Sequence, residues 1–174
     1  MKKITFTLLS MFIFQFTFSQ SAAQLNDSAK TLIQQRKFKE AFPLAQQSAA
    51  MGNPEAQYNY GLFLQEGMLG NKDEEESIKW FLKSSDSGFN DAHYALMMAY
   101  ANGNGVTQNA EKAFSYALKC AHNKDATCMW NVANCYLTGN GTPADTTKFK
   151  EWIVQLAMLP NPENIALSVN ITSA

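Results

Sequence analysis

The feature that most constrains the fold of this chain is a repeat of 36 residues, which aligns three times without a gap. The matched positions carry similar residues in every copy. They include Tyr58, Tyr94 and Trp130; Leu64, Tyr100 and Tyr136; Gly67, Gly103 and Gly139; and Trp80, Tyr116 and Trp152. A period of this length indicates one supersecondary unit copied in tandem, because each copy buries its apolar side against the next. The sequence therefore predicts a stacked array, an architecture that usually provides a binding surface.

Each repeat has the pattern of two helices. In repeat one, apolar residues after Pro54 recur at helical spacing on one face, as expected of an amphipathic helix. A second helix is predicted from about Asp73 to Ser87, because four acidic residues at its start favour the positive end of a helix dipole. Gly67 and Gly88 follow the two segments, and glycine commonly ends helices. The repeat is therefore predicted to be a helical hairpin.

The array extends beyond these two helices in both directions. Equivalent pairs are predicted over about 91–123 and 126–158, and a degenerate pair over 24–52 has the character of a terminal cap. The prediction is an all-α solenoid of about four antiparallel helix pairs, with three tandem repeats over 53–158. Two prolines stop the last helix, and the tail, 159–174, is expected to add a short capping helix or to be disordered.

The first 23 residues have the three-part pattern of a secretory signal peptide. Met1–Lys3 is positively charged, Ile4–Phe18 is largely apolar, and Ser19–Ala23 is rich in small residues. Because the apolar run is shorter than the roughly 20 residues that span a bilayer, a cleaved signal is favoured over a membrane anchor. Three cleavage points fit the pattern: after Ser19, Ser21 or Ala23. The short Lys-Lys start is typical of bacteria, so the mature chain is predicted to be periplasmic or secreted.

The charge balance limits the classes of partner. The full chain has a formal net charge of −1, and removal of the two leader lysines brings the mature part to about −3. No basic block remains, so we predict no nucleic-acid partner. No second apolar run approaches transmembrane length, so we predict no stable membrane insertion.

Two strings in the repeats identify a family. Residues 56–67 read Ala-Gln-Tyr-Asn-Tyr-Gly-x-x-Leu-x-x-Gly, and residues 112–121 read Lys-Ala-Phe-Ser-Tyr-Ala-Leu-Lys-Cys-Ala. They resemble the first and second helices of the Sel-one-like repeat family, and the similarity covers about 38–158. This resemblance implies a right-handed superhelix of helix pairs, related to tetratricopeptide repeats. It also implies a protein-binding scaffold, an adaptor or a secreted bacterial factor, with no particular partner.

The chain contains three cysteines, an odd number for a protein that is expected to reach an oxidising compartment. Cys120 and Cys128 occupy positions that hold small residues in the other units: Ser48 and Ser84, and Ala56 and Ala92. Backbones that approach closely there would suit a disulfide, and a cysteine-rich branch of the same family places its disulfides at this spacing. We therefore predict a Cys120–Cys128 disulfide. Cys135 is predicted to be a buried free thiol, since a zinc site from the three cysteines matches no standard ligand spacing.

The sequence contains no recognisable catalytic constellation. His93 and His122 are the only histidines, and most of a repeat separates them. The glycine loops after the first helices lack the lysine and hydroxyl residue of a phosphate-binding loop, so we interpret them as connections. We therefore predict no enzymatic activity, no metal site and no cofactor.

Positions that vary between repeats on the first helices are candidates for a protein-binding surface, since first helices line the inner curve of such solenoids. The candidate residues are Gln57, His93 and Met129; Asn59 and Asn131, which match Ala95; and Leu62, Met98 and Asn134. The variation is equally compatible with drift. The leading hypothesis is an exported scaffold that recognises a protein or peptide partner. The alternatives are a toxin-neutralising immunity protein or a host-directed factor that uses the same surface, and a cell-wall-acting hydrolase.

Overall fold

The computed structural model describes residues 20–70 and 72–160, and these residues form eight α-helices and no strand. The helices are α1 Ala22–Gln34, α2 Phe38–Ala50, α3 Pro54–Glu66, α4 Glu74–Asp86, α5 Asn90–Asn102, α6 Ala110–His122, α7 Ala126–Thr138 and α8 Thr146–Ala157. Each helix packs against its neighbours in the sequence, so that four hairpins stack in a row. The predicted all-α solenoid is confirmed. The apolar segment up to Ser19 and the tail beyond Pro160 lie outside the described residues.

Side chains cap the start of six of the eight helices in the described residues. Asn53 accepts a hydrogen bond from the backbone N–H of Ala56, with Pro54 in the first turn of α3. The second helices of the three repeats begin after Asp73, Asn109 and Asp145, which each cap a backbone N–H three residues later. Such caps satisfy N–H groups that have no partner within the helix. Because these caps recur every 36 residues, the second helices of the three repeats begin at equivalent positions.

The glycine loops also hold neighbouring repeats together. Gly105 and Gly141 adopt positive φ angles of +67° and +73°. A Cβ on Gly105 would overlap the backbone carbonyl of Glu74 at the start of α4, and a Cβ on Gly141 would overlap that of Ala110 at the start of α6. Each loop therefore packs onto the preceding repeat, which is more than the simple connection that the sequence predicts.

The core lies between successive helices. Phe81 of α4 is fully buried, and its ring packs against Gly61 of α3, where a Cβ would come within 2.6 Å of the ring. Leu96 of α5 belongs to the same cluster, so this cluster joins repeat one to repeat two. A second cluster contains Met97 of α5 and Leu156 of α8 and joins repeat two to repeat three. Most of the stability of a solenoid comes from such contacts within and between neighbouring units.

The N-terminal pair begins earlier than the sequence predicts. Ser21 caps α1 by accepting a hydrogen bond from the Gln24 backbone, and the Gln24 side chain accepts one in return from the Ser21 backbone. The carbonyl of Ala22 accepts a hydrogen bond of 2.6 Å from the Ser48 hydroxyl of α2. The helix therefore starts within the small-residue stretch that ends the predicted leader. No helix in the part of the chain that the structure describes is long and apolar enough to cross a bilayer.

Candidate functional site

Three of the candidate surface residues, Gln57, His93 and Met129, are buried, which corrects the prediction that they lie on a protein-binding surface. Their exposed fractions are 7%, 7% and 4%. The reason is their orientation, since each side chain lies towards the second helix of the preceding unit. The Gln57 amide donates a 3.4 Å hydrogen bond to the carbonyl of Ala49, for example. An amide, an imidazole and a thioether thus fill equivalent gaps between units, and variation at this position reflects packing and not recognition.

His93 lies in a buried polar contact. Its Nδ1 is hydrogen-bonded to the hydroxyl of Ser85 on α4, at 2.8 Å. Burial lowers the pKa of His93, the positive charge of Lys119 lowers it further, and Asp86 opposes the effect. A serine beside a histidine suggests a nucleophile and its base. Both side chains are more than nine-tenths buried, however, so a substrate could not reach the serine oxygen.

The depressed pKa of His93 predicts a pH-dependent stability. The unfolded chain takes up the proton near the ordinary histidine pKa of about 6.5, before the folded chain does. The contribution of His93 to the free energy of unfolding should therefore be constant above about pH 7 and fall as the pH drops below 6.5, by at most about 1.4 kcal/mol per pH unit. H93Q and H93M, which carry the residues of the other repeats, should lose this slope in urea titrations at several pH values. An unchanged slope in both variants would contradict the assignment to His93.

The other five candidate residues lie nearer the surface. Asn59 and Asn131 are half-buried, as is Leu62, whereas Met98 and Asn134 are exposed. The exposed fraction of Met98 is 40%, and that of the nearby Tyr94 is 38%. Tyr94 and Met98 lie one turn apart on α5, so their exposed parts adjoin. Asn131 and Asn134 lie on the next first helix, α7.

A groove of about 260 Å³ lies between α3 and α5. Its lining includes the two candidates Leu62 and Met98. The remaining lining residues are Tyr58, Gln65, Glu74, Ser77, Ile78, Tyr94, Ala95, Ala99, Asn102 and Asn104. The groove combines aromatic, aliphatic and polar groups, which is the composition of a site that recognises an amphipathic ligand.

A negatively charged carboxylate lies near each end of the groove. Tyr58 lies at one end, where burial raises the pKa of its phenol and the neighbouring Asp91 carboxylate raises it further. The Tyr58 phenol therefore stays protonated and can donate a hydrogen bond. The other end carries the Glu74 carboxylate in the first turn of α4. Among the residues described as lining the groove, none is a lysine or an arginine.

The groove residues that sequence reasoning missed are the tyrosines and the residues from α4. Tyr58 and Tyr94 recur with Trp130, and variation between repeats does not point to residues that recur. Glu74 and Ile78 belong to a second helix, and second helices were not expected to line the inner face. A repeated aromatic residue can pack against its own unit with one edge and remain exposed at the other, which the pattern alone does not reveal.

Two cysteines at the junction of repeats two and three have a defined geometry. The structure places the sulfurs of Cys120 and Cys128 at bonding distance, with their Cα atoms 5.7 Å apart, between α6 and α7. This separation falls within the usual range for disulfides. Asp125 lies beside the two sulfurs, and its carboxylate caps α7 at the Cys128 backbone. Cys135 is half-buried outside this group, and burial raises the pKa of its thiol.

The repeats of this chain match the model of a known family. The Sel1 repeat model matches residues 54–89, 91–125 and 126–153, which together make up more than half of the chain. The chain belongs to the Sel1 repeat family. The first match begins with α3 and includes all of α4, so the Sel1 unit is the helical hairpin described above. Sel1 repeat solenoids are generally scaffolds for protein–protein interaction and are typically not catalytic.

Known proteins with Sel1 repeats show the same arrangement. A crystal structure of a Sel1 repeat protein from Oxalobacter formigenes superimposes with a TM-score of 0.76 at 25% identity, over 91% of this chain and 67% of that one. The structure of c5321, described as a protective antigen of uropathogenic Escherichia coli strains with an SLR fold, has a TM-score of 0.59 at 24% identity, over 77% of this chain and 37% of that one. The latter likeness concerns the fold alone.

A curated relative comes from a yeast. Chitin synthase regulatory factor 3 of Schizosaccharomyces pombe is 29% identical over 119 residues, which amount to 67% of this chain and 13% of that protein. The chain thus spans about one eighth of that relative, and the similarity is confined to this segment.

Proposed function

We propose that this Sel1 repeat protein is an exported, non-catalytic scaffold that binds a protein or peptide partner on the face formed by α3, α5 and α7. The observation that carries the proposal is the groove of about 260 Å³ beside the exposed side chains of Tyr94 and Met98. Aromatic residues and methionine are enriched at protein interfaces, and the flexible methionine side chain adapts easily to a partner. The face of first helices is where a solenoid of this type offers its largest concave surface.

Two observations support a scaffold over a cell-wall hydrolase. The hydrogen-bonded serine and histidine, Ser85 and His93, are buried in the interface between repeats and are closed to substrate. In addition, the name of the yeast relative describes a regulatory factor, which is a role exercised on another protein. The surface described here would serve a toxin-neutralising immunity protein or a host-directed factor equally well, so the identity of the partner decides between these roles.

A site-specific cross-linking experiment tests the proposal. A photo-reactive phenylalanine analogue at Met98 should yield a defined cross-linked protein when the purified chain is added to an envelope extract. The same analogue at Lys79, which is exposed on the second helix α4, is the matched control and should not yield that product. Equal cross-linking at both positions, or turnover of wall fragments without any cross-linked protein, would overturn the scaffold. A captured toxin that loses its activity in the complex would identify an immunity protein.

We infer further that the leader is removed between Ser19 and Gln20. Cleavage after Ser21 would remove the cap of α1, and cleavage after Ala23 would also remove the carbonyl of Ala22 that accepts the Ser48 hydrogen bond. Only the first cleavage point keeps these contacts.

This inference predicts the N-terminus of the exported protein. Intact-mass spectrometry of chain purified from the envelope or the medium should give a mature protein that starts at Gln20. A first residue of Ala22 or Gln24 would contradict the cleavage point, and an uncleaved chain in the cytosol would contradict export itself.

A further inference from the structure

The groove between α3 and α5 has the size and charge of a subsite for part of a peptide. We propose that it receives a segment of the partner in which one large apolar side chain is flanked by lysine or arginine. This inference rests on the scaffold function proposed above and specifies the chemistry of its partner. The apolar side chain enters between Leu62 and Met98, and the flanking cations lie near the carboxylates of Glu74 and Asp91.

The volume of the groove favours a single side chain. Pockets for drug-sized ligands and cofactors occupy about 300–1,000 Å³, whereas this groove measures about 260 Å³. Its apolar surface comes from Leu62, Met98 and the buried Ile78, together with the methyl groups of Ala95 and Ala99. A leucine, methionine or phenylalanine side chain would bury most of its apolar area there, and such anchoring residues supply most of the affinity of typical interfaces.

The space exists because this repeat departs from the other two. Ala95 occupies the position of Asn59 in repeat one and Asn131 in repeat three, and Ala99 occupies that of Phe63 and Cys135. Both alanines lie in the wall of the groove. The smaller side chains leave room between α3 and α5. The groove is thus a local feature of repeat two and not a consequence of the solenoid architecture.

The charge of the rim selects the flanking residues. Glu74 also lines a neighbouring open surface together with Asp73 and Glu75, where Lys72 is the single cation. Asp91 provides the negative charge near Tyr58 at the other end. Complementary charge at an interface steers encounter and discriminates against like-charged partners. A segment with acidic flanks would therefore be rejected at both ends.

Three short peptides test this chemistry by NMR titration of the mature, isotope-labelled chain. The probes are acetylated and amidated Gly-Ser-Lys-Phe-Lys-Ser-Gly, the same peptide with glutamate for both lysines, and the same peptide with alanine for phenylalanine. The first probe should shift the backbone amide signals of Glu74, Ala95 and Met98. Its affinity should exceed that of each other probe by about fivefold or more, as expected for a lost anchor or for two ion pairs replaced by repulsion.

Variants taken from the chain's own repeats locate the site. A95N and M98N carry the residues that repeat three holds at these positions, so the hairpin should tolerate them, and both should weaken the lysine-flanked peptide about fivefold. E74Q should reduce the preference for lysine over glutamate flanks. E111Q, at an exposed acid on α6, is the matched control and should change neither value. Urea denaturation of each variant confirms that the fold is retained.

The outcomes distinguish this inference from the function on which it rests. Equal affinity for the three probes, absence of any shift, or shifts that A95N leaves unchanged would overturn the subsite. If cross-linking from position 98 still captures a protein in that case, the scaffold function stands with a different recognition chemistry. If cross-linking captures nothing, the scaffold function fails whatever the peptides do.

Discussion

Replacement of Gly105 by alanine is expected to lower the free energy of unfolding by about 2–5 kcal/mol. The residue has a φ of +67°, and an L-residue in this region costs roughly 1–2 kcal/mol. The added methyl group would also overlap the Glu74 carbonyl, and relief of such overpacking typically costs about 1–3 kcal/mol. The overlap is with backbone, so no side-chain rotation can relieve it. Urea denaturation monitored by circular dichroism measures the loss.

Gly88 provides the matched control for this prediction. It has a φ of +81°, and no atom lies within 4 Å of the position that a Cβ would take. G88A should therefore show the backbone strain alone, about 1–2 kcal/mol. The difference between the two variants isolates the contact between the loop and the preceding repeat. Equal losses would mean that the loop does not pack onto α4 in solution.

The same contact ties the fold to the proposed binding site. Gly105 holds the loop against Glu74, and both Glu74 and Asn104 line the groove between α3 and α5. A shift of this loop would move a carboxylate and an amide at the edge of the groove. G105A should therefore weaken peptide binding as well as stability, whereas G88A should affect stability alone. The loop that contains Gly105 therefore supports both the interface between repeats and the proposed binding groove.

The helices could be predicted from sequence because their signals are local. The second helix of repeat one is predicted from about Asp73 to Ser87 and forms over Glu74–Asp86, so pattern and structure agree there to within about one residue. The contact between Gly105 and Glu74 could not be predicted in this way. A glycine can serve a turn, a positive φ or a close approach, and only the packing of distant segments shows which of these applies.

The candidate surface was only partly predictable for a related reason. Variation between repeats identified Leu62 and Met98, which line the groove, and also His93, which is buried. Variable residues on a first helix can lie either towards the open face or towards the preceding unit, and helical spacing alone does not fix the rotation of the helix. Tyr94 is not among the variable positions because an aromatic residue recurs there, although part of its side chain is exposed. The repeat pattern shows which positions are equivalent between units. It does not show whether such a position packs against a neighbouring unit or faces a partner.

Removal of the link between Cys120 and Cys128 is expected to destabilise the oxidised protein by about 2–3 kcal/mol, the value for a loop closed by residues eight positions apart. The double variant C120S/C128A is the sharpest test, because Ser84 of repeat one and Ala92 of repeat two occupy the equivalent positions 36 residues earlier. The Ser84 hydroxyl donates a 2.7 Å hydrogen bond to the carbonyl of Pro54. A serine at position 120 can make the equivalent bond to the carbonyl of Asn90. The variant therefore removes the covalent constraint while it keeps the packing that the repeat already uses.

Reduction of the wild-type protein should reproduce the effect of the double variant. Guanidinium denaturation with and without a reductant should differ by about 2–3 kcal/mol for the wild type and should not differ for C120S/C128A. Thiol titration of the oxidised, denatured wild type should give one free cysteine, Cys135, which reacts slowly in the native state because burial raises the pKa of its thiol. Three free thiols, or a wild-type stability that is indifferent to reductant, would show that α6 and α7 are held together by packing alone.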